Sequence, residues 1–427
     1  MKHHTKKIIA VLMTLLLTVS VLGVLGSAQE TAQIKNIIYL IGDGMGPNHL
    51  AAYKHYKGIS QLNMEKFPIA GYQNTRSFGG LQTDSAAGGT ALACGIRTWI
   101  NAVGVYPTDP TALTTYPMNL CELAEEKGMK SGIVVTKSSD DATPAVFSAH
   151  TSDRGNSEDI NAQQLAGSID VLMGASTGYI DKAAAEAKGF AYAATRDEMN
   201  AVNSGKLIGQ YVSADVKKGL GEGSAPSLRA MAEKAVSLLE NDNGFFLMIE
   251  GSTIDSFSHS NEMEGMLDAF QGFEDAVDYA LNYAKNNNDT MVVITADHET
   301  GGITWDEAKK DFIFTTGGHT NADVPVFAYV PEGAATPFED GKNILNIDIP
   351  KNMAVTMGWG DVFPRKMYTE LGEKIKDPVL DGLDKLAEGA GKLTDTLKNF
   401  IPQSIIDMIE KLYFFIVDGI AVLIEMF

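Results

Sequence analysis

The chain has 427 residues, with 54 acids against 34 lysines and arginines and a formal net charge of −20. That balance excludes a nucleic-acid-binding protein, which needs a basic footprint; an anionic substrate would need positive charge supplied locally, which metal ions can provide. The two cysteines, Cys94 and Cys121, lack the spacing of a zinc site, and their composition leaves open either one disulfide or two buried thiols.

Residues 1–28 carry Lys2, Lys6 and Lys7, run apolar from Ile8 to Gly26 and finish in Gly26-Ser27-Ala28. This pattern predicts a signal peptide, and so a secreted protein or one at the cell envelope or extracellular surface. An uncleaved apolar anchor is the alternative. Cleavage after Ala28 would remove three lysines and no acids, taking the net charge from −20 to −23.

Residues 29–377 are predicted to form one large α/β domain. Apolar, β-branched runs recur as "IKNIIYLIG" (34–42), "KSGIVVT" (130–136), "GFFLMIEG" (244–251), "TMVVITAD" (290–297) and "VPVFAYV" (324–330). Helix-like stretches such as "MNLCELAEEKG" (118–128) and "LRAMAEKAVSLLEN" (228–241) alternate with them. The alternation predicts a sheet covered by helices on both faces. Acids close four of the runs: Asp43 the first, Asp140 and Asp141 the second, Glu250 the third and Asp297 the fourth, beside His298. In open α/β sheets the carboxyl edge of the strands is where ligands bind.

Several motifs gather on that edge. "IGDGMG" (41–46) puts Asp43 between glycines that permit a sharp turn. In "QTDSAAGGTALACGIRT" (82–98) a polar triplet opens a helix-like run of small residues, which leaves Ser85 as either a helix cap or a nucleophile. In "EGSTIDSFSH" (250–259), Asp255 and His259 stand four apart and share one face of a helix. "TADHETGG" (295–302) places Asp297 and His298 at a strand exit, and "TTGGHTNADVPVF" (315–327) offers His319 in a glycine-rich loop. Alone, the Asp255/His259 spacing reads more readily as a surface pair and His319 as an exposed loop histidine, while the Asp43 and Asp297 motifs read as polar turns. Together Asp43, Asp255, His259, Asp297, His298 and His319 make six N/O ligands, enough for two zinc sites of three protein ligands each. Glu250, Asp141 and the hydroxyl of Thr143 form an all-oxygen set suited to magnesium.

From about Pro378 the composition changes, and residues 378–427 are predicted as an amphipathic helical extension. Ile405, Ile409, Leu412, Ile416, Ile420 and Leu423 follow helical spacing, whereas the uninterrupted apolar run Leu412–Val417 is too short to span a bilayer. Residues 401–427 are expected to contact the body of the protein, a partner subunit or a membrane surface, although Asp407, Glu410, Asp418 and Glu425 suit anionic lipid poorly.

The succession "DGMG", "TDSAAGGTA", "DATPA" with a following His and Arg, "EGSTIDSFSH", "TADHETGG" and "GGHT" resembles the alkaline phosphatases over about residues 34–335. The resemblance implies a three-layer α/β/α sandwich with a central, mostly parallel mixed sheet. It also implies hydrolysis of phosphomonoesters through a phosphoserine intermediate. One zinc would be held by Asp255, His259 and His319, and a second by Asp43, Asp297 and His298. Asp43 would also reach a magnesium ion shared with Thr143 and Glu250, with Asp141 beside it through water. Ser85 matches the nucleophile and Arg154 the guanidinium that clamps phosphate. After Asp255 some bacterial members carry Lys and others an aromatic or His; Ser256 here is expected to remove a second positive group near the phosphate. A homodimer is left open. The competing expectations are a phosphodiesterase or sulfatase of the same superfamily, and a surface protein that binds metal or phosphate without turnover.

Overall fold

Strand β1 (Asn36–Ile41) lies inside a ten-stranded sheet, and every one of its residues is buried. Its side chains alternate between two apolar layers: Ile37, Tyr39 and Ile41 join one, and Ile38 and Leu40 the other. Both faces of the strand are therefore core, which is why the run is continuously apolar rather than alternating with polar residues. The computed structural model describes residues 33–109 and 115–369. The expected signal peptide (1–28) and C-terminal extension (378–427) lie outside the described residues.

The other sheet strands are β2 (Ile69–Asn74), β3 (Lys130–Ser138), β4 (Val171–Ala175), β5 (Phe190–Ala193), β6 (Lys206–Tyr211), β7 (Phe245–Glu250), β8 (Thr290–Thr295), β9 (Val324–Tyr329) and β10 (Asn343–Leu345). Their spatial order is β10-β2-β9-β8-β1-β7-β3-β4-β6-β5. All neighbours run parallel except β9, which is antiparallel to both β8 and β2. One layer of helices includes Leu228–Leu239 and Met263–Asn286, and the opposite layer includes Ser85–Cys94, Leu120–Glu126 and Ala142–Val146. This is the expected three-layer α/β/α sandwich with a mostly parallel mixed sheet. Among the described residues no helix is long and apolar enough to cross a membrane. Cys94 and Cys121 are both buried and free, which resolves the open choice in favour of thiols.

The topology brings the acids together. Strands β8, β1, β7 and β3 are consecutive neighbours, and Ile41 is in register with both Thr295 and Glu250, while Val135 pairs with Glu250. Asp43, Asp297, Glu250 and Asp141 thus leave four adjacent parallel strands at one edge.

Candidate metal centre and active site

Ser85 is the first residue of the helix Ser85–Cys94, and the cap is its neighbour. Asp84 is the N-cap: its Oδ1 accepts the backbone N–H of Ala87 at 3.0 Å. Ser85 is left with a side chain free of capping duty, 3% exposed, whose Oγ lies 3.2 Å from Nε2 of His298. The sequence offered no histidine near Ser85; the fold supplies one across the sheet edge. Gly88 and Gly89 of this helix serve close packing against protein. A Cβ on Gly88 would sit 2.8 Å from the backbone oxygen of Asp297, and one on Gly89 would sit 2.9 Å from a methyl of Val146.

Two compact clusters of potential ligands stand beside Ser85. Asp43, Asp297 and His298 form one, and Asp255, His259 and His319 the other, each with its ligand atoms within 4.8 Å of one another. The first is sealed from solvent, with Asp43 and His298 fully buried and Asp297 almost so. The second opens outward, because His259 is part-exposed. His298 Nε2 is 3.2 Å from Asp297 Oδ2 and 3.6 Å from Asp43 Oδ1. The rings of His298 and His319 stack with centroids 3.7 Å apart, so the two clusters adjoin.

Hydrogen bonds set the tautomers. Nδ1 of His259 faces the carbonyl oxygen of Gly317 at 2.7 Å, and Nδ1 of His319 faces that of Thr83 at 2.9 Å. A carbonyl only accepts, so each Nδ1 carries the hydrogen and each Nε2 presents its lone pair to the cluster. Thr300 does the same for the third ring. Its hydroxyl donates to Asp255 Oδ1 at 2.6 Å and so accepts from Nδ1 of His298, 3.2 Å away. Such outer contacts orient metal-binding imidazoles.

The charge balance calls for cations. Both oxygens of Asp43, both of Glu250, Oδ2 of Asp297 and the hydroxyl of Thr143 are buried without a hydrogen-bond partner among the described residues. Burial, with Asp297, Asp255 and Glu250 nearby, pushes the Asp43 carboxyl well above the usual range. Burial and the charges of Asp141 and Asp297 push Glu250 up to about 8. Burial also pushes Asp255 upward, but hydrogen bonds from His259 and Thr300 and the charge of His298 outweigh it and hold that carboxyl below the usual range. Orphaned buried oxygens of this kind are costly unless a cation or proton meets them. The mixed imidazole and carboxylate clusters fit zinc. Asp43, Glu250 and Thr143 fit a hard cation such as magnesium.

Arg154 lies on the exposed side of this centre. Its Nη1 is 3.2 Å from Asp84 Oδ2 and its Nη2 is 3.4 Å from Asp141 Oδ1. Asp84 therefore has two tasks, capping the helix and holding the guanidinium. Asp141 has a partner that the sequence did not suggest, Lys137 at 3.1 Å. Asp84, Thr300 and Lys137 have site contacts that the sequence reading did not assign. Asp84 and Thr300 lie inside the quoted motifs, one and two positions from Ser85 and His298, whereas nothing in the spacing pointed to Lys137.

An α/β sandwich with paired Asp/His clusters at the carboxyl edge of its strands, next to a helix-borne serine, defines a class of protein that sets candidate metal sites beside a buried hydroxyl. The family described as "Alkaline phosphatase" matches residues 34–312, and the chain belongs to that family. "Alkaline phosphatase 4" of Bacillus subtilis is 33% identical over 302 residues, covering 65% of this chain and 64% of the relative. "Alkaline phosphatase" of Escherichia coli is 29% identical over 341 residues, covering 62% of this chain and 70% of the relative. The solved structure of alkaline phosphatase from the Antarctic bacterium TAB5 has a TM-score of 0.67 and 30% identity, covering 77% of this chain and 99% of that one. The chain spans 64% of the length of each of the two Bacillus subtilis relatives that it matches.

Proposed function

We propose that this chain hydrolyses phosphomonoesters through a phosphoserine on Ser85, at a site for two zinc ions and one magnesium ion. The observation that carries the reading is the placement of Ser85 Oγ, 3.2 Å from His298 Nε2 and beside two three-residue ligand clusters. Zinc would be held by Asp255, His259 and His319 and by Asp43, Asp297 and His298, and magnesium by Asp43, Thr143 and Glu250 with Asp141 nearby; such ions supply Lewis acidity toward the attacking and leaving oxygens. A solved variant of the TAB5 enzyme, 30% identical with a TM-score of 0.67, is described with Mg bound in its M3 site, which supports the magnesium assignment.

The chain's own groups do the rest. Arg154 presents a planar fork to two phosphoryl oxygens, turning toward the substrate from Asp84 and Asp141. Ser85 Oγ attacks phosphorus in line, the P–O bond to the alcohol breaks, and the alcohol leaves. Water then attacks the phosphoserine from the vacated side, releasing phosphate and restoring the hydroxyl. Two displacements give net retention at phosphorus. The cluster of Asp255, His259 and His319, open to solvent at His259, would lie on the side from which alcohol and water exchange.

Metal analysis of the purified protein, with aryl phosphate hydrolysis before and after chelation, tests the reading. Activity that survives complete removal of metal would overturn it. Rates on aryl phosphate, bis-aryl phosphate and aryl sulfate separate a monoesterase from a diesterase or sulfatase. Secretion follows from the same proposal for residues 1–28, with 29–377 as the catalytic domain; N-terminal sequencing of exported protein checks cleavage after Ala28. A role for 401–427 in membrane or subunit contact, including a homodimer, is tested by truncation after Pro378. Unchanged sedimentation and lipid partitioning would dispose of it.

A further inference from the structure

Lys137 lies near the end of β3, at the edge of the sheet from which the site residues project. Its Nζ is 3.1 Å from Oδ2 of Asp141, while Nη2 of Arg154 is 3.4 Å from Oδ1 of the same carboxylate. The two cationic heads therefore flank one carboxylate. Asp84 holds the guanidinium on its other side at 3.2 Å. Two acids and two bases make a neutral quartet at the mouth of the centre. The Lys137 side chain is 36% exposed and that of Asp141 only 15%, so the ammonium is anchored at its inner side and reachable from outside.

We infer that Lys137 is a second cation of the anion site, posed by Asp141 so that it and Arg154 meet the phosphoryl group from adjoining sides. The inference rests on the phosphomonoesterase reading. An arginine fork takes two oxygens of a tetrahedral anion, and an ammonium is a compact charge with rotatable donors that suits a third. Two cations favour a dianionic terminal phosphate over a monoanionic diester. Asp141, with an oxygen on each cation, acts as the positioning residue.

The test is calorimetric titration of inorganic phosphate into the metal-loaded full chain, for wild type, Lys137→Met, Lys137→Arg and Arg154→Ala, with bound zinc and magnesium measured on each sample. Lys137→Met is expected to weaken phosphate binding about 10-fold, the scale of one charge-assisted hydrogen bond. Its metal content should stay unchanged, its KM for aryl phosphate should rise more than its kcat falls, and Lys137→Arg should recover most of the affinity. Lys137→Gln supplies the same comparison if the Met variant folds poorly. Unchanged phosphate affinity in Lys137→Met beside weakened binding in Arg154→Ala overturns this inference alone. So does tighter magnesium binding without any change for phosphate, which would make the ammonium a tethered stand-in for the third cation. Unchanged affinity in both variants would overturn the phosphomonoesterase reading as well.

Discussion

The Nε2 atoms of His259 and His319 lie 3.1 Å apart although neither ring has a hydrogen to spare between them, since each Nδ1 is committed to a backbone carbonyl. Two lone pairs at that distance repel, so the pair needs either one proton or one metal ion. The hydrogen bond to Asp255, opposed by burial, pushes His259 up to about 8, which marks it as the proton carrier when metal is absent. Below about pH 8 zinc must displace that proton, and above it there is none to displace. Zinc titrations in buffers of differing ionisation enthalpy should therefore show proton release at pH 7 that declines above pH 8. A heat independent of the buffer at pH 7 would contradict the assignment.

Asp84 and Ser85 divide two roles that the sequence could not separate, and their variants should divide likewise. Ser85→Ala removes no cap and introduces a good helix former, so stability should hold while aryl phosphate turnover falls by about 10³-fold or more. Asp84→Ala removes the cap, at a cost of about 1 kcal/mol, and also removes one of the two carboxylates that hold Arg154. Its melting temperature should fall and its KM rise. Thermal melts and steady-state kinetics on the two proteins distinguish these outcomes.

The contrast between them shows what the chain discloses on reading. The central strands were legible because burial on both faces makes them continuous apolar runs, as in β1 and β8. Strands β4 and β6 were not, because a glycine interrupts each short apolar run near its end, whereas Gly132 of β3 is followed by the unbroken run Ile133–Val135. Gly174 and Gly209 are there for close approach: an added Cβ would come within 2.7 Å of a Val135 methyl and 2.4 Å of the Tyr211 hydroxyl, respectively. The residues of the two clusters were legible because strand-end acids and histidines have few other reasons to recur. Lys137 was not, because its contact with Asp141 depends on how the chain turns after β3, and neither helical nor strand periodicity describes that turn.

Thr300 links the two ligand clusters through one hydroxyl, donating to Asp255 and accepting from His298. Thr300→Val keeps the shape and deletes both contacts. The orientation of one ligand in each cluster is then lost together, and loss of such outer contacts weakens metal binding by about 10- to 100-fold. Thr300→Ser should restore most of it. Zinc affinity measured by competition with a chelator reads this directly, and a Val variant with wild-type affinity at both sites would show that the hydroxyl is dispensable.

The buried carboxylates make a final prediction about stability and pH. Glu250 is raised to about 8 by burial and by Asp141 and Asp297, and Asp43 is raised by burial and by Asp297, Asp255 and Glu250. A carboxyl whose pKa is higher in the folded chain than in the unfolded one favours the fold only while it is protonated. Without metal, that contribution is complete below the ordinary carboxylate range and is lost as pH rises toward about 8. Cations reverse the dependence, because they bind the ionised carboxylates of the folded state and stabilise it by mass action. Calorimetric melts of chelator-treated protein should therefore show a melting temperature that falls from pH 5 to pH 8. The same melts with zinc and magnesium present should show a higher value that does not fall over this interval. Parallel curves with and without metal would mean that these acids do not face the ions proposed for them.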